Sequence, residues 1–519
     1  MNGAHALIRT LIDCGVDTCF MNPGTSEMHF VAALDSVPEM RGVLGLFEGV
    51  ATGAADGYAR MAEKPASVLL HLGPGLGNGL ANLHNARKGK VPIVNIIGDH
   101  ATYHKRYDAQ LESDIETVAS NVSRWIRRSQ RSDTVGADAA EAVAAAMGPP
   151  GQVATLIVPA DVSWLDGGVI ASPRPQAKRS SVTSKTIDSV AAALRSGKPC
   201  AMLIGGSALR RRGLVAASRV ANTAGAKLLC ETFPTRLERG AGVPPIERLA
   251  YLAEFAMMQL EGTKHLIVVD AKAPVSFFAY PNKPSYLVPE GCEVHVLAGD
   301  TDDAPAALEA LADAVNAATD AATIQGESRP GRPTGPLTAE SVCQALGAML
   351  PEGAIVSDEG NTTSALFGPM FTAGAPRHDW LCLTGGAIGQ GLPVATGAAV
   401  ACRGRKVVCL ESDGSALYTF QSLWTQAREG LDVVTVLFNN RSYAVLNMEL
   451  KRVGVDVGGP KAKEMLDLGR PDMDFAHVAK GLGVPAARAT VAEEFCIQLE
   501  RALAEPGPTL IEAFVPSLL

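Results

Sequence analysis

The sequence predicts an α/β protein built from three doubly wound domains with parallel sheets. Three observations lead there. Short apolar runs alternate with Ala- and Gly-rich stretches of helical length. The runs read as continuously apolar rather than alternating, the pattern of strands covered on both faces. Two polar, Pro- and Ser-rich segments divide the chain, and 519 residues at roughly 100–200 per domain allow about three domains.

In the first third, residues 66–72 (ASVLLHL), 91–97 (VPIVNII) and 153–159 (VATLIVP) read as buried strands, with helical stretches at 48–62 and 76–88. The rhythm returns in the middle at 200–206 (CAMLIGG) and 264–270 (KHLIVVD), and in the last third at 406–412 (KVVCLES) and 432–438 (DVVTVLF). Residues 172–186 and 325–336 (QGESRPGRPTGP) have no apolar period and read as linkers. The expected domains are therefore 1–171, 187–324 and 337–519. The first and third share a strand, Gly-rich turn, helix, strand rhythm.

Lys plus Arg number 46 against 54 Asp plus Glu, a formal net charge of −8. That mild acidity offers no footprint for nucleic acid or an anionic membrane. No apolar run approaches the ~20 residues that span a bilayer. The N-terminal MNGAHALIRTLIDCG lacks a basic region followed by an apolar stretch, so a soluble cytoplasmic protein is expected. Ten cysteines without a C-x-x-C pair predict buried reduced thiols rather than disulfides or sulfur-ligated metal.

The sharpest chemical signal is 411–443, ESDGSALYTFQSLWTQAREGLDVVTVLFNNRSY. A strand delivers Asp413-Gly414-Ser415, a helix follows, and a second strand ends at Asn439-Asn440. Carboxyl ends of neighbouring parallel strands face one crevice, so Asp413 and Asn440 can converge there. A carboxylate, an amide oxygen and a main-chain carbonyl at Ser442 suit a hard cation such as magnesium. Gly414 and Ser415 open a helix whose N–H groups can meet a diphosphate. Two further segments stand out: 47–60 (FEGVATGAADGYAR), where Glu48 opens a small-residue helix, and the Gly-rich turn 384–398 (TGGAIGQGLPVATGA). An acid in a helix's first turn is commonplace, and a Gly-rich loop alone is weak evidence.

Together these segments resemble the thiamine-diphosphate enzymes, whose signature runs from Gly-Asp-Gly to Asn-Asn about thirty residues on. Ser412 stands here for the first Gly. The resemblance implies that Asp413, the Asn440 side chain and the Ser442 carbonyl hold Mg²⁺ against thiamine diphosphate, with Gly414, Ser415 and Tyr443 beside them. It implies that Glu48 binds N1′ of the aminopyrimidine and that the Gly386 carbonyl accepts its 4′-amino group. Ile388 would be the wedge that keeps the cofactor bent. The turn 358–363 (DEGNTT) would supply Gly360 and Asn361 to the diphosphate. The implied fold has pyrimidine-binding, central and diphosphate-binding domains, with active sites between two chains of a homodimer at least, often a homotetramer. The resemblance leaves FAD in the central domain open.

Two subfamilies match in part, benzoylformate decarboxylase and acetolactate synthase. His71 stands where the decarboxylase has a catalytic His, and Thr25 where it has a Ser that binds substrate carboxylate. Gly73-Pro74-Gly75 and Asp108-Ala109 are similar to the synthase, but its following Phe-Gln is Gln110-Leu111 here. His100, His104, Lys105 and Arg106 are either carboxylate-recognising or a solvated basic loop. The decarboxylase's second His has no counterpart in 273–280, where Phe277 and Phe278 make that wall apolar. The expected reaction decarboxylates a small 2-oxo acid and transfers the acyl anion to a second carbonyl. The alternative releases an aldehyde, and a silent cofactor-binding paralogue is more remote. A nicotinamide-dependent oxidoreductase would use Gly205-Gly206 with Glu231 on the ribose, a weak match.

Overall fold

The computed structural model describes residues 1–455 and 459–517. Three sheets organise it. Strands β1 (Thr18–Asn22), β2 (Arg41–Leu44), β3 (Ala66–His71), β4 (Ile93–Asp99), β5 (Ser123–Arg128) and β6 (Val153–Pro159) form the first, in the order β2-β1-β3-β4-β6-β5. All its pairings are parallel. The runs predicted as strands lie in its middle, buried along almost their whole length, as strands covered on both faces must be.

The central segment supplies β7 (Cys200–Ile204), β8 (Lys227–Cys230), β9 (Leu237–Arg239), β10 (Glu247–Arg248), β11 (His265–Val269) and β12 (Glu293–Ala298). Five of these form a parallel sheet ordered β10-β8-β7-β11-β12. The third sheet holds β13 (Ile355–Glu359), β14 (His378–Cys382), β15 (Val407–Ser412), β16 (Val433–Asn439), β17 (Ala486–Ala489) and β18 (Thr509–Phe514), in the order β17-β18-β16-β15-β13-β14-β9.

β9 adds an antiparallel edge to the mostly parallel third sheet. It leaves the central segment and pairs antiparallel with β14, Leu237 opposite Trp380. That pairing satisfies backbone groups on an otherwise open sheet edge. The expected linker 172–186 is also shorter than predicted. The helix Ser184–Leu194 starts inside it, because the Thr183 hydroxyl accepts the Thr186 N–H as an N-cap.

The helix Glu48–Ala62 lies as expected and packs on Gly391–Ala401, joining the first and third sheets. Two glycines permit the approach: a Cβ at Gly57 would sit 2.1 Å from the Val394 carbonyl oxygen, and one at Gly397 1.8 Å from that of Ala54. Beside them Arg60 forks onto Asp56 at 2.7 Å and donates to the Cys382 carbonyl at 2.8 Å, while Gln390 donates to Asp56 at 2.5 Å. All ten cysteines are free thiols. Among the described residues, no helix is long and apolar enough to cross a membrane.

Candidate active site

In the third sheet β13 has β14 on one side and β15 on the other, so the loops after β13 and β15 open into the crevice at a topological switch point. Gly360 and Asn361 follow β13; Asp413, Gly414 and Ser415 follow β15. Asn361 takes φ 47° and donates from Nδ2 to Ser412 Oγ at 2.9 Å and Ser415 Oγ at 3.1 Å. A Cβ at Gly360 would meet Ser364 Oγ at 2.4 Å, so only glycine fits under this turn.

Asp413 is buried at the end of β15. One oxygen accepts the Gly414 N–H at 2.8 Å; the other accepts those of Asn440 at 3.0 Å and Arg441 at 2.6 Å. The carboxylate thus ties the ends of β15 and β16 together, as the sequence spacing predicted. Burial pushes its pKa up against the opposing pull of those N–H groups. Among the described residues it has no cationic partner. Asn440 Oδ1 accepts the Ser442 N–H at 2.9 Å around a left-handed Arg441, which fixes the Asn440–Ser442 turn. The Tyr443 ring packs where a Cβ at Gly414 would lie. Buried carboxylate, amide and turn carbonyl form an oxygen donor set of the kind that holds a hard cation. The donor set thus fits a hard cation such as magnesium.

The loop carrying Gly386 and Ile388 is held from below. Glu359 accepts the N–H of Gly389 at 2.8 Å and that of Gly391. It is fully buried beside Glu411, and burial raises its pKa to about 7; that of Glu411 is raised well above the usual range. Burial, and for Glu411 the neighbouring Glu359 charge, pushes both groups toward the protonated form. The Phe277 ring lies against Gly386, with Phe278, Phe233 and Tyr251 packed round it.

The other cluster lies at the switch point of the first sheet, where β1 has β2 on one side and β3 on the other. Glu48 opens its helix, nearly buried, and accepts from Asn78 Nδ2 at 3.0 Å. His71 ends β3, and its Nδ1 lies 2.8 Å from Glu27 Oε2, which also accepts the Gly24 N–H at 2.7 Å. Glu27 is the residue the sequence reading missed. Its other oxygen is buried without a partner and rests on Gly98. Thr25 is exposed at the start of the same turn, and it is Ser26 that comes within 3.4 Å of His71.

Asn82 joins the clusters, donating to the carbonyls of Gly49 at 2.8 Å and Gly389 at 3.2 Å. No hydrogen bond or ion pair among the described residues links Glu48, His71 or Thr25 to Asp413, Gly386 or Ile388. Apolar side chains are exposed beside both clusters: Leu46 two residues before Glu48, and Leu417 and Tyr418 on the helix that Asp413 opens.

The structure bears on two readings that the sequence left open. Lys105 is no free anion binder, since its ammonium pairs with Asp99 at 3.3 Å and with Glu112. Nor does Gly205-Gly206 offer a nucleotide seat. Gly206 N–H donates to Glu231 at 3.2 Å and Ser207 N–H to Asp270 at 2.9 Å, so the chain's own carboxylates fill it.

Comparison with known proteins agrees with this geometry. Residues 1–119 match the thiamine pyrophosphate enzyme N-terminal TPP binding domain, and residues 360–513 the corresponding C-terminal TPP binding domain. The chain is 61% identical over its whole length, and that of the relative, to a Mycobacterium tuberculosis protein named "Putative acetolactate synthase large subunit IlvX". It is 29% identical to benzoylformate decarboxylase of Pseudomonas aeruginosa over 96% of both chains. The solved 4-hydroxybenzoylformate decarboxylase of Rhodococcus jostii RHA1 shares the fold, with TM-score 0.85, 24% identity and 99% of each chain covered. Family models on both sheets that carry the clustered residues, and relatives along the full length, make this chain a thiamine-pyrophosphate-dependent enzyme of the acetolactate synthase and benzoylformate decarboxylase family.

Proposed function

We propose that the protein decarboxylates a 2-oxo acid and joins the resulting acyl unit to a second carbonyl, as an acetolactate-synthase-like carboligase. Thiamine diphosphate, when bound, supplies the electron sink for loss of CO₂. Asp413, Asn440 and Ser442 would hold it through Mg²⁺, with Gly360, Asn361, Gly414 and Ser415 at the diphosphate and Tyr443 packed behind. Gly386 and Ile388 would position its rings. Glu48, nearly buried and hydrogen-bonded by Asn78, would hold a proton at the pyrimidine.

The observation that carries the choice of reaction is the aromatic wall. Once CO₂ has left, the reacting carbon takes either a proton or the carbon of a second carbonyl. The Phe277 ring on Gly386, with Phe278, Phe233 and Tyr251 packed round it, makes this wall aromatic and offers no imidazole to deliver a proton, which favours the second carbonyl. A second reading, release of an aldehyde, is favoured by the Glu27–His71 pair, a proton carrier at the opposite cluster. Thr25, exposed beside it, would meet the substrate carboxylate.

The functional unit in this reading is at least a homodimer, with a homotetramer as the family resemblance implies. The apolar side chains exposed beside both clusters support a second copy covering them. The test supplies pyruvate and benzoylformate, each alone and with an acceptor aldehyde, to enzyme loaded with thiamine diphosphate and Mg²⁺. A 2-hydroxy ketone or 2-hydroxy acid in the product NMR spectrum is expected. Free aldehyde without coupled product would refute carboligation in favour of the second reading.

A further inference from the structure

His265 and Glu293 stand in register on the neighbouring parallel strands β11 and β12, and His295 is two residues along β12 on the same face. The side chains converge. His265 Nδ1 lies 3.0 Å from His295 Nε2, and Glu293 Oε2 lies 3.8 Å from both. Ligands around a tetrahedral cation with bonds of about 2.0–2.1 Å lie about 3.3 Å apart. All three separations are within a few tenths of an ångström to half an ångström of that value.

Two imidazole nitrogens that face each other so closely need a proton or a cation between them. The histidines are largely buried while Glu293 is mostly exposed. A cation can therefore enter from solvent on the flexible carboxylate and end on the two fixed rings. The cluster sits at the amino ends of β11 and β12, whereas Gly206, Ser207 and Asp270 lie at the carboxyl ends of the same sheet. Neither Asp413 nor Glu48 is part of it.

We infer that His265, Glu293 and His295 form a binding site for a divalent transition metal of the zinc class. Imidazole pairs with one carboxylate suit such ions better than magnesium or calcium. The bound ion would clip β12, the outer strand of the central sheet, to β11, and water would complete its coordination.

The test uses the full chain, stripped by chelator and reloaded with thiamine diphosphate and saturating Mg²⁺, so that the Asp413 site is filled. Titration with Co²⁺ is followed by visible absorption. One Co²⁺ per chain with the intense band of low-coordinate, nitrogen-ligated cobalt is expected. His295→Gln should abolish the band and Glu293→Gln weaken binding at least about tenfold, with turnover unchanged in both. Zn²⁺ should raise the melting temperature of the wild type but not of His295→Gln. Absence of the band in the wild type, or an equal band in His295→Gln, would overturn the assignment and leave a plain imidazole–imidazole hydrogen bond.

Discussion

Replacing Glu27 by Gln tests whether His71 works as a positioned proton carrier. One Glu27 oxygen takes His71 Nδ1 at 2.8 Å and the Gly24 N–H at 2.7 Å, and its side chain is 1% exposed. In this arrangement the carboxylate orients the ring, leaves Nε2 for the cleft and stabilises the imidazolium whenever a proton arrives. Gln has the same shape but no charge. A hydrogen bond to a charged group contributes roughly 1.5–3 kcal/mol and a neutral one roughly 0.5–1.5. The difference, about 1–2 kcal/mol, applies only while the ring is charged. At about 1.4 kcal/mol per factor of ten, kcat should fall roughly 5- to 30-fold. KM should change little, because Glu27 is sealed behind His71. The assay is steady-state kinetics at saturating cofactor, with thermal melting to confirm the fold, repeated in a His71→Ala background. There the Glu27 substitution should cost nothing more. Unchanged kcat in a folded Glu27→Gln protein, or fully additive losses in the double variant, would refute the reasoning.

Glu48→Gln is expected to retain thiamine diphosphate, measured by equilibrium dialysis, but lose at least about a hundredfold in kcat, the usual scale of a lost proton-transfer group. Asp413→Ala should elute from gel filtration without cofactor, because the buried carboxylate both ties β15 to β16 and would hold the cation. Stability should also depend on pH through Glu359 and Glu411. Burial raises the Glu359 pKa from an ordinary 4.5 to about 7, so the folded chain keeps a proton that the unfolded chain releases. That stability is full below about pH 4.5 and declines as pH rises through about 7. Glu359→Gln cannot ionise, so the decline in melting temperature across that window should flatten. The purified protein should be colourless near 450 nm, since Glu231 and Asp270 already occupy the N–H groups of Gly206 and Ser207 that a flavin diphosphate would need.

How much of this was legible in the sequence follows from what apolar patterning can report. It marks which residues are buried, so 66–72, 153–159 and 406–412 were recognisable as strands. It also placed Asp413 and Asn440 at strand ends, and their meeting needed only that β15 and β16 be parallel neighbours. Patterning does not say which strand lies beside which. Glu27 became visible only when the loop after β1 came to rest beside the end of β3, at the point where the strand order reverses; 44 positions separate it from His71. A signal did exist, an acid three residues after a glycine at a strand end. Glu411 carries a stronger one, since it follows the apolar run VVCL and such a carboxylate must find a partner or keep its proton. β9 had none, because three residues make no period. Lys105 shows the opposite failure: its charge read as available for a ligand until Asp99 and Glu112 were placed on it. Charge therefore became informative about function only after the chain's own countercharges had been assigned. By that criterion Asp413 stands out, a buried carboxylate with backbone N–H groups on both oxygens and no countercharge from the described residues.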